Sequence, residues 1–348
     1  MRIAQVAPLY ESVPPKLYGG TERIVFYLTE ELIKMGHEVI LFASGDSQTK
    51  AKLIPVCPNA LRLDKNCKDF IVWHLHMLEE VFKRAKFFDI IHFHTEYLHL
   101  PLATRYNVPF ITTLHGRLDL PEYIPFFKNF KNAPFVSISN SQRKPLSWLN
   151  WQATIYHGLP EDLYKFYPET GKYLAFLGRI SPEKRPDRAI KIAERFGMPL
   201  KIAAKVDKVD KAYFKEVIKP MLKSPWVEFI GEIGESEKNE FLGNAYALVF
   251  PIDWPEPFGL VMIEALACGT PVVAWRCGSV PEIIEDGKTG FIIDSIDSAV
   301  EALYKVKTLD RKACRKCFEK RFTAKRMAEE YIHVYRNIIS KEILLKAV

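Results

Sequence analysis

Residues 2–44, RIAQVAPLYESVPPKLYGGTERIVFYLTEELIKMGHEVILFAS, contain the pattern that decides the predicted fold. The stretch begins and ends with short runs of β-branched and aromatic residues, which are typical of buried strands. Between these runs, apolar residues recur at helical spacing from Ile24 to Ile33, with Thr21 as the expected N-cap and Gly36 as the expected stop. A strand, a helix and a second strand in this order predict parallel pairing, because parallel strands need a long crossover connection.

The alternation of strand-like and helical runs continues along the chain and restarts in its second half. Further strand-like runs in the first half are FDIIHFH (88–94), VPFITTLH (108–115) and APFVSIS (133–139). The second half has six such runs between residues 172 and 294, separated by predicted helices at 186–196, 211–222, 236–245 and 258–268. We therefore expect an α/β protein with two doubly wound parallel-sheet domains, residues 1–160 and 161–323, and a C-terminal helix within residues 324–348; this helix could pack on either domain, and packing back on the first is one of the two arrangements.

The composition is that of an ordinary globular protein. The 348 residues are enough for two hydrophobic cores, and 48% of them are hydrophobic and 26% charged. No apolar run reaches the roughly 18 residues that a membrane-spanning helix needs. The first residues lack the features of a signal peptide, and the six cysteines are too few for a disulfide framework in a chain of this length, so we expect a cytoplasmic protein.

The formal net charge of +7 fits an anionic small molecule, an anionic membrane surface or nucleic acid. The densest basic stretch, residues 311–326, is interpreted as the solvated face of a helix. No zinc finger, RNA-binding or helix-turn-helix pattern accompanies it, so a nucleic-acid partner is not expected.

The first site candidate is a pair of glycines ahead of the first predicted helix. Ligands of open α/β sheets bind beyond the carboxyl ends of the strands, which is where Gly19 and Gly20 fall. Residues without Cβ atoms let the backbone approach a phosphate or a sugar, and a helix start favours an anion. The pair fits an ordinary turn as well, and it is not the G-x-G-x-x-G fingerprint of dinucleotide-binding proteins.

The second site candidate follows the strand predicted at residues 173–177. Arg179 and Lys184 lie in the predicted loop before the helix at 186–196. An arginine fork and a lysine point charge at the end of a strand suit a diphosphate. The alternative is a surface loop that is merely basic.

The third site candidate is DWPEPFGLVMIEALACGTPVVAW, residues 253–275. Glu256 lies in a proline-flanked loop, and Pro257 is expected near the first position of the following helix. The backbone N–H groups at the start of this helix are expected to point at a ligand, namely those of Phe258, Gly259 and Leu260.

Both glutamates of this stretch are expected to accept hydrogen bonds from hydroxyl groups of a ligand. Glu256 lies at the mouth of the helix, and Glu264, two turns further along, suits a vicinal diol such as a ribose. An unpartnered carboxylate in this apolar helix would cost on the order of several kcal/mol, so a ligand or donor must satisfy both groups. The alternative for Glu264 is an ion pair with a lysine on the surface.

Together, these segments resemble a retaining glycosyltransferase of family 4, and the resemblance covers almost the whole chain. Residues 256–264, EPFGLVMIE, match the E-x7-E motif of that family, and LGRISPEK (177–184) matches its diphosphate-binding arginine and lysine. The glycine loop with the first helix (18–45) and GSVPEIIEDGKTGFII (278–293) match as well. The implied fold is GT-B, in which two Rossmann-like domains face each other across a cleft.

The resemblance implies a donor-binding role for residues of the second domain. Arg179 and Lys184 would hold the diphosphate of the donor. Glu256, with the backbone of 258–260, would grip the donor sugar near its anomeric carbon, and Glu264 would hold the ribose. Residues around Gly231 and Ile233 would flank the nucleotide base.

The resemblance also implies that His115, at the end of the strand-like run FITTLH, faces the donor sugar from the first domain. The alternative is a solvated histidine at a strand end. His92 and His94 lie on one face of a predicted strand with His99 nearby, but no carboxylate or cysteine cluster supports a metal site, and His94 is assigned to the acceptor pocket instead. The motif formed by Cys314 and Cys317 is interpreted as incidental.

The implied activity is transfer of a hexose from a nucleotide diphosphate sugar to an acceptor hydroxyl with retention at the anomeric carbon. UDP-, GDP- and ADP-hexoses all fit as donors, and a sugar, a lipid or a small molecule fits as acceptor; no metal ion or other cofactor is expected. Residues 121–135 and 143–151 mix aromatic and basic residues, which suggests peripheral membrane contact; packing on the domain is the alternative. A sugar-nucleotide epimerase and a non-catalytic nucleotide-sugar-binding relative are the alternative functions.

Overall fold

The computed structural model of the protein describes residues 1–16, 19–62, 64–106 and 108–347. The chain divides into two compact units. Unit 1 comprises Met1–Pro160 and Thr323–Val348, and unit 2 comprises Glu161–Phe322. Unit 1 is therefore built from two separate parts of the chain, whereas unit 2 is continuous.

In the described part of unit 1, the β-rich runs form one seven-stranded sheet, and every neighbouring pair of its strands is parallel. The strand order is β3-β2-β1-β4-β5-β6-β7. The strands are β1 (Arg2–Val6), β2 (Glu38–Ala43), β3 (Lys52–Pro55), β4 (Ile90–Phe93), β5 (Phe110–Thr113), β6 (Phe135–Ser137) and β7 (Trp151–Thr154). The chain order reverses between β1 and β4, which makes this edge of the sheet a topological switch point.

Unit 2, which is described throughout, has one six-stranded sheet that is also parallel at every pair. Its order is β10-β9-β8-β11-β12-β13, so the switch point lies between β8 and β11. The strands are β8 (Leu174–Arg179), β9 (Leu200–Lys205), β10 (Val227–Gly231), β11 (Ala247–Phe250), β12 (Val272–Trp275) and β13 (Gly290–Ile293). The prediction of two doubly wound parallel-sheet domains is confirmed.

Helices connect the strands of both sheets, and in the described part of the chain three further helices follow the last strand, β13. They are α1 (Gly20–Lys34), α2 (Phe70–Lys83), α3 (Leu100–Ala103), α4 (Tyr123–Lys128), α5 (Asn140–Arg143), α6 (Pro186–Phe196), α7 (Lys211–Tyr213), α8 (Lys219–Met221), α9 (Glu235–Gly243), α10 (Leu260–Cys268), α11 (Val280–Ile283), α12 (Ile296–Val306), α13 (Arg311–Arg321) and α14 (Ala324–Ala347). A π-helical segment, Phe214–Ile218, joins α7 to α8 where one regular helix was predicted. The helix predicted at 186–196 has the predicted bounds.

Helices cover both faces of the sheet in unit 1. Leu41 of β2 packs in a buried cluster with Val25 of α1, whereas the next residue, Phe42, packs in a second cluster with Met77 of α2. Successive side chains of a strand point to opposite faces of the sheet, so α1 and α2 lie on opposite faces. This is the doubly wound arrangement that the sequence predicted.

Several predicted boundaries were wrong. The N-cap of α1 is Gly19 and not Thr21. Helix α10 begins at Leu260 and not at Phe258, because Gly259 adopts a left-handed conformation with φ of 78° and serves as its N-cap. Pro257 therefore lies outside the helix, and Arg179 is the last residue of β8 rather than a loop residue.

The interpretation of residues 311–326 as a solvated helix face was wrong for Arg311. Its side chain is 6% exposed, and its guanidinium donates to the backbone carbonyls of Tyr167 at 2.7 Å, Gly243 at 2.8 Å and Ala245 at 3.0 Å. The five donors of a guanidinium allow one side chain to satisfy several carbonyls at once. Arg311 therefore stabilises the fold of unit 2 and is not part of a solvated basic surface.

The aromatic segments at 121–135 and 143–151 contribute largely to the core of unit 1. Phe127, Phe135 and Leu146 are fully buried there. Ile124 and Trp148 remain exposed at 44% and 42%. None of the described helices combines the length and the apolar character needed to cross a membrane.

Candidate active site

The switch point of unit 2 brings together two of the predicted site segments. Arg179 ends β8, and Glu256 lies in the loop that follows the neighbouring strand β11. Because carboxyl ends of parallel strands meet at the same edge, the predicted cations and the predicted carboxylate share this edge.

Lys184 and Glu256 form an ion pair through Nζ and Oε2. The indole Nε1 of Trp254 donates to the same carboxylate oxygen at 2.8 Å. Lys184 Nζ also lies 5.2 Å from the centroid of the Trp254 ring and 5.7 Å from that of Phe250, within the range of cation–π attraction. Glu256 is only 9% exposed, so its charge depends on these partners.

Arg179 lies among three carboxylates that the sequence interpretation did not anticipate. Its guanidinium forms an ion pair with Glu183, and it approaches Asp207 to 3.7 Å and Asp210 to 3.5 Å. The register explains this arrangement, because Arg179 is opposite Lys205 at the end of β9 and Asp207 follows two residues later. A diphosphate at Arg179 would have to compete with this negative charge.

The second glutamate of the motif also has a lysine partner. Glu264 Oε1 lies 2.9 Å from Nζ of Lys238 on the adjacent helix α9. The two residues are 2% and 8% exposed, so this is a buried pair and not the surface pair considered as the alternative. Lys238 also approaches Glu235 to 3.4 Å. The ribose contact of Glu264 stays a prediction.

The predicted base-flanking residues lie at the end of an edge strand. Gly231 ends β10 with a φ of 89°, and Ile233 follows in the loop before α9, where it is half-buried. Strand β9 separates β10 from β8, so these residues share the carboxyl edge of the sheet with Arg179 but are not beside it. Their role stays a prediction.

Gly278 is a residue that sequence reasoning missed, and its backbone packs directly against the backbone of Glu256. Its φ is 57°, and a Cβ atom there would lie 2.3 Å from the backbone nitrogen and 2.4 Å from the carbonyl oxygen of Glu256. The N–H of Ser279 donates to the same carbonyl at 3.0 Å. The close approach of two backbone segments therefore fixes the loop that carries Glu256.

Replacing Gly278 by alanine should displace this loop. We expect Gly278→Ala to destabilise the protein by about 1–3 kcal/mol more than Gly287→Ala, because overpacking is added to backbone strain. Gly287 is the matched control, since it has a φ of 73° but a Cβ atom added there would meet nothing within 4 Å. Urea denaturation of both variants measures the difference, and equal losses of stability would contradict the prediction.

Unit 1 holds the predicted glycines at the start of α1. Gly19 is the N-cap, and a Cβ atom on it would lie 2.7 Å from Cβ of Pro15, so this position has no room for a side chain. Gly20 is the first residue of the helix and is exposed. Leu17 and Tyr18 of the same loop lie outside the described residues.

His115 follows β5 and is half-buried. Its Nε2 lies 2.9 Å from Nδ1 of His94, and its ring stacks on that of His157 at 5.3 Å. Burial lowers the pKa of His115 to about 3, so the ring is neutral at pH 7. The alternative of a solvated histidine is wrong, and the contact with a donor sugar stays a prediction.

Glu96 is a second residue that sequence reasoning missed. Its Oε1 accepts the backbone N–H groups of both His115 and Gly116, each at 3.0 Å. Its φ of 52° is unusual for a residue with a side chain, and burial raises the pKa of its carboxyl group to about 7. The only signal in the sequence was its position directly beyond a predicted strand.

The other histidines considered for a metal are engaged with uncharged polar groups. His92 lies 2.7 Å from the hydroxyl groups of both Thr113 and Tyr335, and His99 lies 2.7 Å from that of Thr112. His94 is 1% exposed, and its assignment to the acceptor pocket stays a prediction. Among the described residues no group of three His, Cys, Asp or Glu side chains has the geometry of a metal site.

Seven histidines of unit 1 have a lowered pKa because of burial, and this predicts acid destabilisation. They are His37, His74, His92, His94, His99, His115 and His157. Below a pH of about 6.5 the unfolded chain binds more protons at these sites than the folded one, so the free energy of unfolding falls as the pH falls. His99, which is fully buried and has a pKa of about 3, alone removes about 2 kcal/mol between pH 6.5 and 5.

Two carboxyl groups oppose this trend, because burial raises the pKa of Glu22 and Glu96 to about 7 and so adds stability toward low pH. The histidines outnumber them, so we expect a net loss of stability in urea denaturation between pH 6.5 and 5. His99→Phe should reduce the slope of the free energy of unfolding against pH in this interval by the equivalent of about one bound proton. A wild-type protein that becomes more stable over this interval would contradict the prediction.

Comparison with known families agrees with the geometry of both units. The sequence profile described as "Glycosyltransferase Family 4" matches residues 18–169, and that described as "Glycosyl transferases group 1" matches residues 165–321. Together they span residues 18–321, which include the switch point of unit 2. The chain is a family 4-like glycosyltransferase of the GT-B fold.

Three of the proteins that resemble this family 4-like glycosyltransferase in sequence or in structure match it over most of its length. An uncharacterised glycosyltransferase of Methanocaldococcus jannaschii is 25% identical over 83% of this chain and 84% of its own length. The crystal structure of AviGT4, a glycosyltransferase involved in avilamycin A biosynthesis, is 24% identical, covers 98% of each chain and has a TM-score of 0.73. The structure of HepE from Anabaena in complex with UDP-glucose is 17% identical, covers 100% of each chain and has a TM-score of 0.70. The two structures show the fold.

Proposed function

We propose that the protein transfers a hexose from a nucleoside diphosphate sugar to an acceptor hydroxyl group, with retention at the anomeric carbon. The observation that carries this proposal is the ion pair of Lys184 with Glu256 beside Arg179 at the switch point of unit 2. In this proposal Glu256 is the carboxylate that accepts from sugar hydroxyl groups, and Lys184 and Arg179 are the cations that bind the diphosphate. The UDP-glucose complex of HepE supports a nucleotide sugar as donor.

Lys184 serves two groups in this proposal. Its ammonium group has three N–H donors, so one can hold Glu256 while the others reach the diphosphate. Both contacts of Glu256 described above use Oε2, which leaves Oε1 to accept a hydrogen bond from a hydroxyl group of the donor sugar. The loop at Glu256 thereby orients the sugar and the leaving group together.

Departure of the diphosphate is the step that needs most stabilisation. The bond between the anomeric carbon and the phosphate oxygen breaks, and negative charge develops on the departing oxygen. Lys184, Arg179 and the N-terminus of α10 are placed to balance that charge, so we propose that no metal ion or other cofactor takes part. Arg179 would exchange part of its contact with Glu183, Asp207 and Asp210 for the phosphate.

Retention is proposed to arise from attack on the face that the phosphate leaves. Glu256 is paired with a lysine and an indole N–H, and a carboxylate so stabilised is a weak nucleophile. The acceptor oxygen therefore forms the new bond to the anomeric carbon, and its proton passes to the departing phosphate oxygen. Unit 1 is proposed to bind the acceptor and to contribute His115 to the sugar.

A thermal-shift panel of UDP-, GDP- and ADP-hexoses tests the proposal. A donor present at 100 times its dissociation constant should stabilise the folded protein by about 2.7 kcal/mol. The products formed from the donor that binds then separate the activities, since a transferase yields the nucleoside diphosphate and an epimerase yields an altered nucleotide sugar. A melting temperature unchanged by every compound would refute donor binding.

A further inference from the structure

A buried hydrogen-bonded network in unit 1 joins the C-terminal helix α14 to His115. Its members lie on β1, β4 and β5, directly after β4 and β5, and on α14, and six of the seven are 0–1% exposed. In order along the network they are Tyr331, Thr113, His92, Tyr335, Gln5, His94 and His115.

The direction of the hydrogen bonds follows from the amide of Gln5. Its Nε2 donates to the hydroxyl oxygen of Tyr335 at 3.2 Å, and its Oε1 lies 2.8 Å from Nε2 of His94. An amide oxygen can only accept, so His94 carries its proton on Nε2 and its Nδ1 has a lone pair. His115 Nε2, at 2.9 Å from that Nδ1, must then donate.

The other half of the network has the same direction. The hydroxyl of Tyr335 accepts from Gln5, which leaves its own proton to be donated to His92 Nδ1 at 2.7 Å. His92 then donates from Nε2 to the hydroxyl of Thr113 at 2.7 Å. Thr113 donates in turn to Tyr331 at 2.9 Å, so every hydroxyl and ring nitrogen on this path has a consistent role.

The opposite direction would require the amide of Gln5 to be rotated by half a turn. Each bond would then reverse, and His115 would carry its proton on Nδ1. This nitrogen is buried and has no hydrogen-bond partner within the part of the chain that the structure describes. A buried N–H without an acceptor is rarer and costlier than an acceptor without a donor, which favours the direction found.

We propose that Gln5 and His94 are positioning residues that hold His115 as the tautomer with its proton on Nε2, so that Nδ1 presents a lone pair. Burial lowers the pKa of His94 well below its usual value and that of His115 to about 3, which keeps both rings neutral with one proton each at pH 7. His115 can therefore accept a hydrogen bond but cannot donate a second one.

The tautomer restricts what His115 can contact. This consequence depends on the proposed function and requires donor binding to uncover Nδ1, which is buried in the structure. The group of the donor sugar at Nδ1 must then be a hydroxyl that donates, and a sugar with an acceptor such as a carboxylate at that position would be rejected. Helix α14 takes part in this selection through Tyr335, although it lies at the opposite end of the chain.

The tautomer can be read directly by NMR of the full-length protein labelled with ¹⁵N in its histidines, with His115→Asn used to assign the signals. At pH 7 and without ligand, we expect Nδ1 of His115 in the range of an unprotonated imidazole nitrogen. Gln5→Met removes the oxygen that holds His94 and should move this signal toward a mixture of tautomers. Tyr335→Phe removes the contact that orients the amide and should act in the same direction.

Tyr331→Phe is the matched control, because it removes a hydroxyl from the same buried helix at the end of the network farthest from His115. It should leave the tautomer of His115 unchanged. A protonated Nδ1 in the wild-type protein would overturn the proposal, and so would a signal that neither Gln5→Met nor Tyr335→Phe changes.

UDP-glucose and UDP, added separately, test the sugar contact. A response of Nδ1 to UDP-glucose and not to UDP would support the hydroxyl contact. An equal response to both, or none, would overturn that contact without affecting the tautomer. The tautomer is measured without ligand, so it is tested independently of whether the protein is a transferase.

Discussion

Replacing Lys184 by methionine is expected to lower the rate at which the nucleoside diphosphate is released from the donor by roughly 100- to 1,000-fold. Methionine keeps the length of the side chain but removes the charge that balances the leaving diphosphate. It also leaves the carboxylate of Glu256 with Trp254 and no cation. The rate is measured under saturating donor, so that a change in donor affinity does not contribute.

Lys201→Met is the control for this substitution. Lys201 lies on β9 of the same unit and pairs with Glu228 at 3.4 Å on the surface, so its loss changes the net charge by the same amount. We expect it to leave the rate within about threefold of wild type, since exposed pairs contribute little. If Lys184→Met were as active as Lys201→Met, the proposed position of the leaving group would be wrong.

Replacing Glu264 by alanine is expected to reduce the free energy of unfolding by about 3 kcal/mol. The loss of one partner from a buried ion pair leaves the other charge uncompensated, and Lys238 is 8% exposed. The lower end of the usual range applies because Glu235 remains 3.4 Å from Lys238. The same variant should weaken the stabilisation that a nucleotide sugar provides, because Glu264 is the proposed ribose ligand.

The double variant Glu264→Leu with Lys238→Met should recover most of that stability, since replacing both charges with apolar groups leaves neither unpaired. Removing the exposed pair of Lys201 and Glu228 should change the free energy of unfolding by less than about 1 kcal/mol. Urea denaturation compares all these variants. A Glu264→Ala protein as stable as the surface variants would show that the buried lysine does not need this partner.

The fold could be predicted because buried parallel strands are short, continuous apolar runs separated by amphipathic helices. All six strands of unit 2 lie within the strand-like runs that the sequence predicted. In unit 1, β3 (KLIP) and β7 (WQAT) were missed. Both are edge strands with partly exposed residues and mixed polarity, so neither the alternation nor an apolar run marks them.

Site residues could be predicted where each one comes shortly after a strand in the same stretch of sequence. Arg179, Lys184 and Glu256 lie at the same edge of the sheet because β8 and β11 are neighbours at the switch point. The carboxylates of Asp207 and Asp210 were missed because their proximity to Arg179 depends on the register of β8 with β9, which a single sequence does not specify. Lys238 was missed for a similar reason, since two helices bring it to Glu264.

The histidine network could not be predicted for the same reason, because its members are even farther apart in the sequence. The alternation in IIHFH places His92 and His94 on one face of β4, and their rings are 3.9 Å apart. Tyr335, which bonds to His92, and Tyr331, which bonds to Thr113, belong to the last helix, far along the chain. No local pattern connects them, so their hydrogen bonds could not be inferred before the fold was known.

The return of α14 to unit 1 has a consequence for synthesis on the ribosome. All of Glu161–Phe322 is translated before the helix that supplies Tyr331 and Tyr335 to the buried network. Unit 2 can therefore acquire its complete set of strands and helices while unit 1 still lacks its last helix. Nascent chains that stop before Ala324 should accordingly contain a folded second unit and an incompletely folded first unit. In the first unit, polar groups of β1 and β4 would still lack their hydrogen-bond partners on α14.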